Sequence, residues 1–119
     1  MNIQPHTIKD TEIAEIISDD IIIRNAEDAL DLMGNVYYQG FDKMIIHQKN
    51  MTSDFFDLKN KMAGEILQKF SNYRVSLAII GDFSGFESKS LNDFIYESNK
   101  GKHVNFVASL NEALNALSR

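Results

Sequence analysis

Residues 44–85 constrain the fold more than any other part of the chain: two short apolar runs, Met44-Ile45-Ile46 and Val75-Ser76-Leu77-Ala78-Ile79-Ile80, stand one helix-length apart. Runs too apolar to alternate suit strands covered on both faces, and a helix between them makes a parallel crossover unit. Each run ends in a polar cluster, His47-Gln48-Lys49-Asn50 and Gly81-Asp82-Phe83-Ser84. Parallel strands would carry both clusters to one sheet edge, where open α/β sheets usually hold ligands.

The flanking segments extend the alternation. Residues 3–9 and 12–17, separated by Asp10-Thr11, predict a hairpin of strands at the amino end. Ser18-Asp19-Asp20 breaks that pattern, and Ile21-Ile22-Ile23 fits either a strand extension or a segment lying over the core. From there Ala26, Ala29, Leu30, Met33, Val36 and Tyr37 share one helical face, with Asn25 as cap and Glu27 and Asp28 in the electropositive first turn. A second helix is expected to carry Leu58, Met62, Ile66 and Phe70 in one stripe. Gly64 costs it about 1 kcal/mol against alanine, and a core-facing position would let the helix lie tight on the sheet. Ser88 or Ser90 caps a third helix bearing Leu91, Phe94, Ile95 and Ser98, which Lys100-Gly101 stops. Residues 104–107 form the last strand, and Ser109-Leu110-Asn111-Glu112 has capping-box form before a helix with Leu110, Ala113, Leu114 and Leu117 on its buried face. The expected class is α/β: one domain over residues 1–119, order ββαβαβαβα, a mainly parallel five-stranded sheet and about four helices.

Composition narrows the function. A 119-residue chain that is 44% hydrophobic has the size of one core. Its formal net charge of −5 opposes general attraction to phosphate backbones or anionic lipid, so neither nucleic acid nor membrane is an expected partner. The lack of cysteine removes disulfides, thiolate nucleophiles and cysteine-held metals. The amino terminus lacks the basic-then-apolar pattern of a secretory signal and no apolar run is long enough to span a bilayer, so a cytoplasmic location is expected. His6, His47 and His103 are too dispersed in sequence to form a metal motif, and neither metal nor cofactor is expected.

The element order resembles the STAS fold, the domain of sulphate transporters and anti-sigma-factor antagonists. The residues themselves, Ala29-Leu30-Asp31-Leu32, Phe55-Phe56-Asp57-Leu58, Ala63-Gly64-Glu65-Ile66-Leu67-Gln68-Lys69-Phe70, Asn72-Tyr73-Arg74, Gly81-Asp82-Phe83 and Asp93-Phe94-Ile95-Tyr96-Glu97-Ser98-Asn99, resemble the bacterial domain-of-unknown-function family DUF4180 over most of the chain. That resemblance implies a compact domain without an assigned activity. The STAS likeness implies a module switched by a partner kinase acting on a serine or threonine at the start of the helix after the central strand. Thr52 and Ser53 stand near that place, although Asn50-Met51-Thr52-Ser53-Asp54 replaces the Asp-Ser-Gly or Asp-Ser-Ser element of STAS antagonists.

Two functions compete. The leading expectation is a non-enzymatic regulatory or protein-interaction module with an unknown protein partner, because no complete catalytic constellation is present and no catalytic residue is assigned. The alternative is small-molecule binding or a minor enzyme activity at the sheet edge, through His47, Asn50, Asp82, Phe83 and Ser84, with Ser109 beside them. His47 has an imidazole suited to ligand contact or proton transfer, and its plainer role is a hydrogen bond to loop backbone. Asp82 either meets a ligand or caps its own turn. Gly81-Asp82-Phe83-Ser84-Gly85 lacks the spacing and the Lys-Ser/Thr pair of a phosphate loop. Phe83 and Phe86 either form an exposed contact patch or fold inward and seal the edge, while the remaining aromatics, Tyr37, Tyr38, Tyr73 and Tyr96 among them, are assigned mostly to the core. Apolar helix faces are also compatible with a homo-oligomer.

Overall fold

The structure is a computed structural model and describes residues 1–119. Strands β1 (Asn2–Ile8), β2 (Thr11–Ile17), β3 (Lys43–His47), β4 (Ser76–Ile80) and β5 (Val104–Val107) lie side by side in chain order. Helices α1 (Ala26–Tyr38), α2 (Met62–Tyr73), α3 (Lys89–Lys100) and α4 (Leu110–Ser118) alternate with them from β2 onward. Class, strand number, helix number and element order agree with the expectation from sequence.

The sheet is mixed, which corrects the expectation of a mainly parallel one. β1 runs antiparallel to β2 over seven residue pairs, whereas the parallel β2–β3 ladder has two. The cause lies in the connection. Lys9 and Asp10 both adopt positive φ, 49° and 68°, the signature of the tight two-residue turn whose twist matches antiparallel strands. This turn falls one residue earlier than the Asp10-Thr11 break suggested, and it sets Ile8 opposite Thr11 and His6 opposite Ile13.

Alternation along the strands divides the interior in two. One face carries Ala14, Ile16, Met44, Ile46, Leu77, Ile79, Val104 and Phe106 and is covered by α1, α2 and, more loosely, α3. The other carries Ile13, Ile45 and Ala78 and is covered by Ala113 and Leu117 of α4. The caps are those read from sequence. Asn25 Oδ1 accepts from the Asp28 amide at 2.8 Å, and Ser109 Oγ accepts from the Glu112 amide at 3.2 Å. Ser88, rather than Ser90, caps α3.

Helix orientations depart from the sequence reading in two places. α1 buries Ala29, Leu32, Met33 and Val36, so its contact face is turned away from Tyr37, which is 69% exposed. α2 begins only at Met62, because Lys61 takes the left-handed conformation at φ 64° and separates it from short turns at Ser53–Phe56 and Leu58–Asn60. With Ala63, Ile66 and Phe70 buried, Gly64 lies about 100° round the helix and points to solvent. No atom of the chain lies within 4 Å of the position a Cβ would take there, so Gly64 serves no close approach to the sheet.

Both sheet edges are blunted against strand addition. Pro5 sits in edge strand β1 and has no N–H to offer an incoming strand. At the other edge, Asn99 plays the part of a missing strand: its Nδ2 donates to the Phe106 carbonyl at 3.1 Å and its Oδ1 accepts from the Phe106 amide at 2.6 Å. The hairpin turn yields a direct test. Replacing Lys9-Asp10 by Asn-Gly removes the steric cost of two left-handed side chains and is expected to raise the unfolding free energy by about 1 kcal/mol. Urea denaturation measures it, and an unchanged or lower midpoint contradicts this account of the turn.

Candidate functional site

Register brings the two polar clusters together as expected. His47 at the end of β3 pairs with Ile80 at the end of β4, and Gln48 Oε1 accepts from the Asp82 amide at 3.2 Å. Gly81 leaves no room for a side chain, since a Cβ there would stand 2.7 Å from Gln48 Cβ and 3.0 Å from Phe83 Cζ.

The side chains at this edge are engaged with the protein itself. Asp82 Oδ1 accepts from the Ser84 hydroxyl at 2.6 Å and the Ser84 amide at 3.1 Å, which closes the turn into the following loop. Those bonds, the hydroxyl first, hold the Asp82 carboxyl below its ordinary 3.8 against a weaker opposing effect of burial. Asn50 is fully buried, and its Nδ2 donates to the carbonyls of Ser18 and Asp20, both at 2.8 Å. Its backbone carbonyl accepts from the amides of Ile22 and Ile23 at 2.7 and 3.1 Å, so Asn50 pegs residues 18–23 to the end of β3. Ile21-Ile22-Ile23 accordingly lies along this edge, joined by one isolated bridge from Ile23 to Met51.

Phe83 and Phe86 fold inward. Phe83 meets the Phe106 ring edge-on at 5.3 Å, Phe86 stacks on Phe56 at 5.1 Å, and Phe56 meets Phe55 edge-on at 5.0 Å. These rings plug the strand ends, and Phe56 and Phe86 form with Ile21, Gln48, Lys49 and Met51 the walls of an open depression of about 470 Å³ beside them. Thr52 caps the Ser53–Phe56 turn by accepting from the Asp54 amide at 3.4 Å, and Ser53 is exposed. Neither residue begins α2, which starts about ten positions later at Met62.

His47 turns away from Asp82 to the sheet face that α4 only partly covers. There a single carboxylate joins three strands: Glu15 Oε1 lies 2.8 Å from His6 Nε2, and Glu15 Oε2 lies 2.8 Å from His47 Nε2. Each imidazole donates through Nε2, so its Nδ1 is the nitrogen left for another partner. Burial of Glu15 raises its pKa, and the hydrogen bonds from His47 and His6, with their charges, more than reverse this and bring it below the ordinary 4.5. Sequence reading missed His6 and Glu15 because they lie on different strands. The hairpin held the signal, since its register places His6 two residue pairs from Glu15 on the same face. No three His, Asp or Glu side chains gather closely enough to hold a metal ion, and Ser109 is occupied as the cap of α4.

This carboxylate generates a pH-dependent prediction. Because its folded pKa is depressed, Glu15 stabilises the fold fully above pH 4.5, and that contribution is lost as pH falls through the folded value. Glu15→Gln leaves one imidazole N–H without an acceptor and is expected to cost about 2 kcal/mol at pH 7. The gap between the variant and the natural protein should narrow in denaturation curves taken below pH 4.5. A gap independent of pH contradicts the assignment.

Comparison with known proteins gives one family match. The family described as Domain of unknown function (DUF4180) matches residues 8–117. No curated protein sequence matches the chain. Among solved structures, a candidate anti-sigma factor antagonist from Thermotoga maritima is similar at 13% identity and a TM-score of 0.49, with 98% of this chain and 95% of that chain covered.

Proposed function

The chain belongs to the DUF4180 family, and we propose that it is a non-enzymatic regulatory module that works by contact with a protein partner. One observation carries this reading: the twelve aromatic residues of the chain are sorted by chemistry and place. None of the eight phenylalanines is exposed, whereas all four tyrosines are, at 63% or more, and all four lie on helices. Tyrosine offers a rigid apolar ring with a polar tip, which suits a surface that is wet when free and buried when bound. The carboxyl edge supports the same reading, since Phe83 packs on Phe106 beside the strand ends where an open α/β sheet holds a ligand. Modification of Thr52 or Ser53 would add negative charge next to Asp54 on an accessible turn, and it fits this module as a control of docking.

The tyrosines define the test. A photo-crosslinking side chain placed in cells at Tyr38 or at Tyr73 is expected to give a discrete adduct with the same protein from both positions. Glu12, exposed on the hairpin, serves as the control position and should give none. Adducts equal from all three positions, or absent from all, overturn the proposal. Tyr38→Ala is expected to reduce adduct formation from position 73 while changing stability by no more than about 0.5 kcal/mol, as measured by urea denaturation.

A further inference from the structure

The layer of helices contains a groove with no charged residue in its wall. Leu30, Met33, Gly34 and Tyr37 from α1 line one side, and Tyr73 and Val75 at the end of α2 line the other, enclosing about 480 Å³. Gly34 sits in the middle of α1 at an exposed position, and no atom of the chain lies within 4 Å of where its Cβ would be. Glycine inside a helix weakens it, and here no contact within the chain uses the space it leaves. A backbone approaching from outside would use it, because the absent side chain lets two helices come close.

Charge indicates what kind of segment approaches. α1 contains Glu27, Asp28 and Asp31 and no Lys, Arg or His. Arg24 takes Asp28 at 2.8 Å, while Glu27 and Asp31 have no ion-pair partner. Both stand one helical turn from Leu30 or Gly34, beside the apolar stripe. On the α2 side the nearby charges are of the other sign, Lys69 and Arg74. A two-fold pairing that laid α1 on α1 would set its carboxylates against one another, and anionic lipid meets the same repulsion. The blunted sheet edges are a poor template for an added strand.

We propose that the α1–α2 groove receives an amphipathic helix of a partner protein, with apolar anchors over Leu30, Gly34 and Tyr37 and basic side chains over Glu27 and Asp31. This rests on the protein-contact reading above and names the surface and the chemistry of the partner. Leu30 and Tyr37 are two turns apart, the spacing that a docked helix meets with anchors at i, i+3 or i+4, and i+7.

The probe is a helical peptide of about 14 residues, about 20 Å long, with leucine on one face and lysine on the other. Its control carries glutamate in place of lysine. The lysine peptide is expected to shift the amide resonances of residues 27–38 and 73–75 selectively, and the glutamate peptide to leave them unmoved. Glu27→Lys with Asp31→Lys should weaken binding about tenfold or more, corresponding to at least about 1.4 kcal/mol. Gly34→Leu fills the groove and improves the helix, so it should abolish binding while the thermal midpoint holds or rises. Failure of the lysine peptide to bind, shifts scattered over the surface, or binding that survives Gly34→Leu overturns the proposal. A doubled mass in light scattering that Gly34→Leu removes also overturns it, by making a second copy the occupant. In any of these cases, a discrete adduct from Tyr38 and Tyr73 would keep the protein-contact reading standing while this occupant falls.

Discussion

When strands follow one another in space as they do in the chain, parallel crossovers of one hand carry every connecting helix to the same side. The right-handed preference of such crossovers therefore assigns α1, α2 and α3 to a single face of this sheet, and only α4, arriving after the last strand, can cover the other. Much of the structure follows from this imbalance. The crowded face holds the larger core, with Phe55, Phe70 and Phe106 among its buried members. The opposite face is dry only where α4 reaches, over β4, β5 and part of β2. The rest of that face, on β1, β2 and β3, has no apolar cover, and there the chain carries Glu15 with His6 and His47 in place of a packed side chain.

The polar residues buried in the domain hold segments that the ladders leave loose. Glu15 adds side-chain bonds across the β2–β3 pairing, which has only two residue pairs and is the weakest ladder of the sheet. Asn50 ties down residues 18–23, which have no strand partner beyond one bridge. Asn105 donates to the carbonyls of Asn99 and Gly101 and fixes the turn that delivers β5. The Asn50 and Asn105 side-chain amides donate to loop carbonyls that would otherwise lie unpaired, and these bonds offset the cost of burying their Oδ1 atoms, which have no hydrogen-bond partner. The polar end of β3 thus reads from sequence as a binding edge and works in the structure largely as a set of fastenings.

The sequence was most legible where the physics is local. Caps at Asn25 and Ser109 and the short apolar strands depend on near neighbours and appear where they were expected. Helix rotation was less legible, because Leu30 and Tyr37 have the same periodic spacing as core residues and only the position of the sheet shows that Leu32 takes their place. The start of α2 was hidden for a related reason. Leu58 continues the apolar stripe in sequence, but the left-handed Lys61 interrupts the helix at a residue type that seldom announces such a turn. The carboxylate between the two histidines needed the hairpin register and the parallel β2–β3 pairing at once, two contacts between strands that no local pattern announces.

The outer helical surface carries all four exposed tyrosines and two glycines in helix interiors. α3 buries only Leu91 completely, with Phe94 and Ile95 half covered. α2 stands apart from α3 across a groove that includes Gly64, just as α1 and α2 enclose the one that includes Gly34. Each glycine costs its helix about 1 kcal/mol relative to alanine, and neither recovers that cost through a contact inside the chain. In a domain of this size, whose net stability is of the order of 10 kcal/mol, two such losses on the same layer are a substantial concession. Stability of the isolated fold does not explain them, and the docking proposed for the α1–α2 groove would account for Gly34.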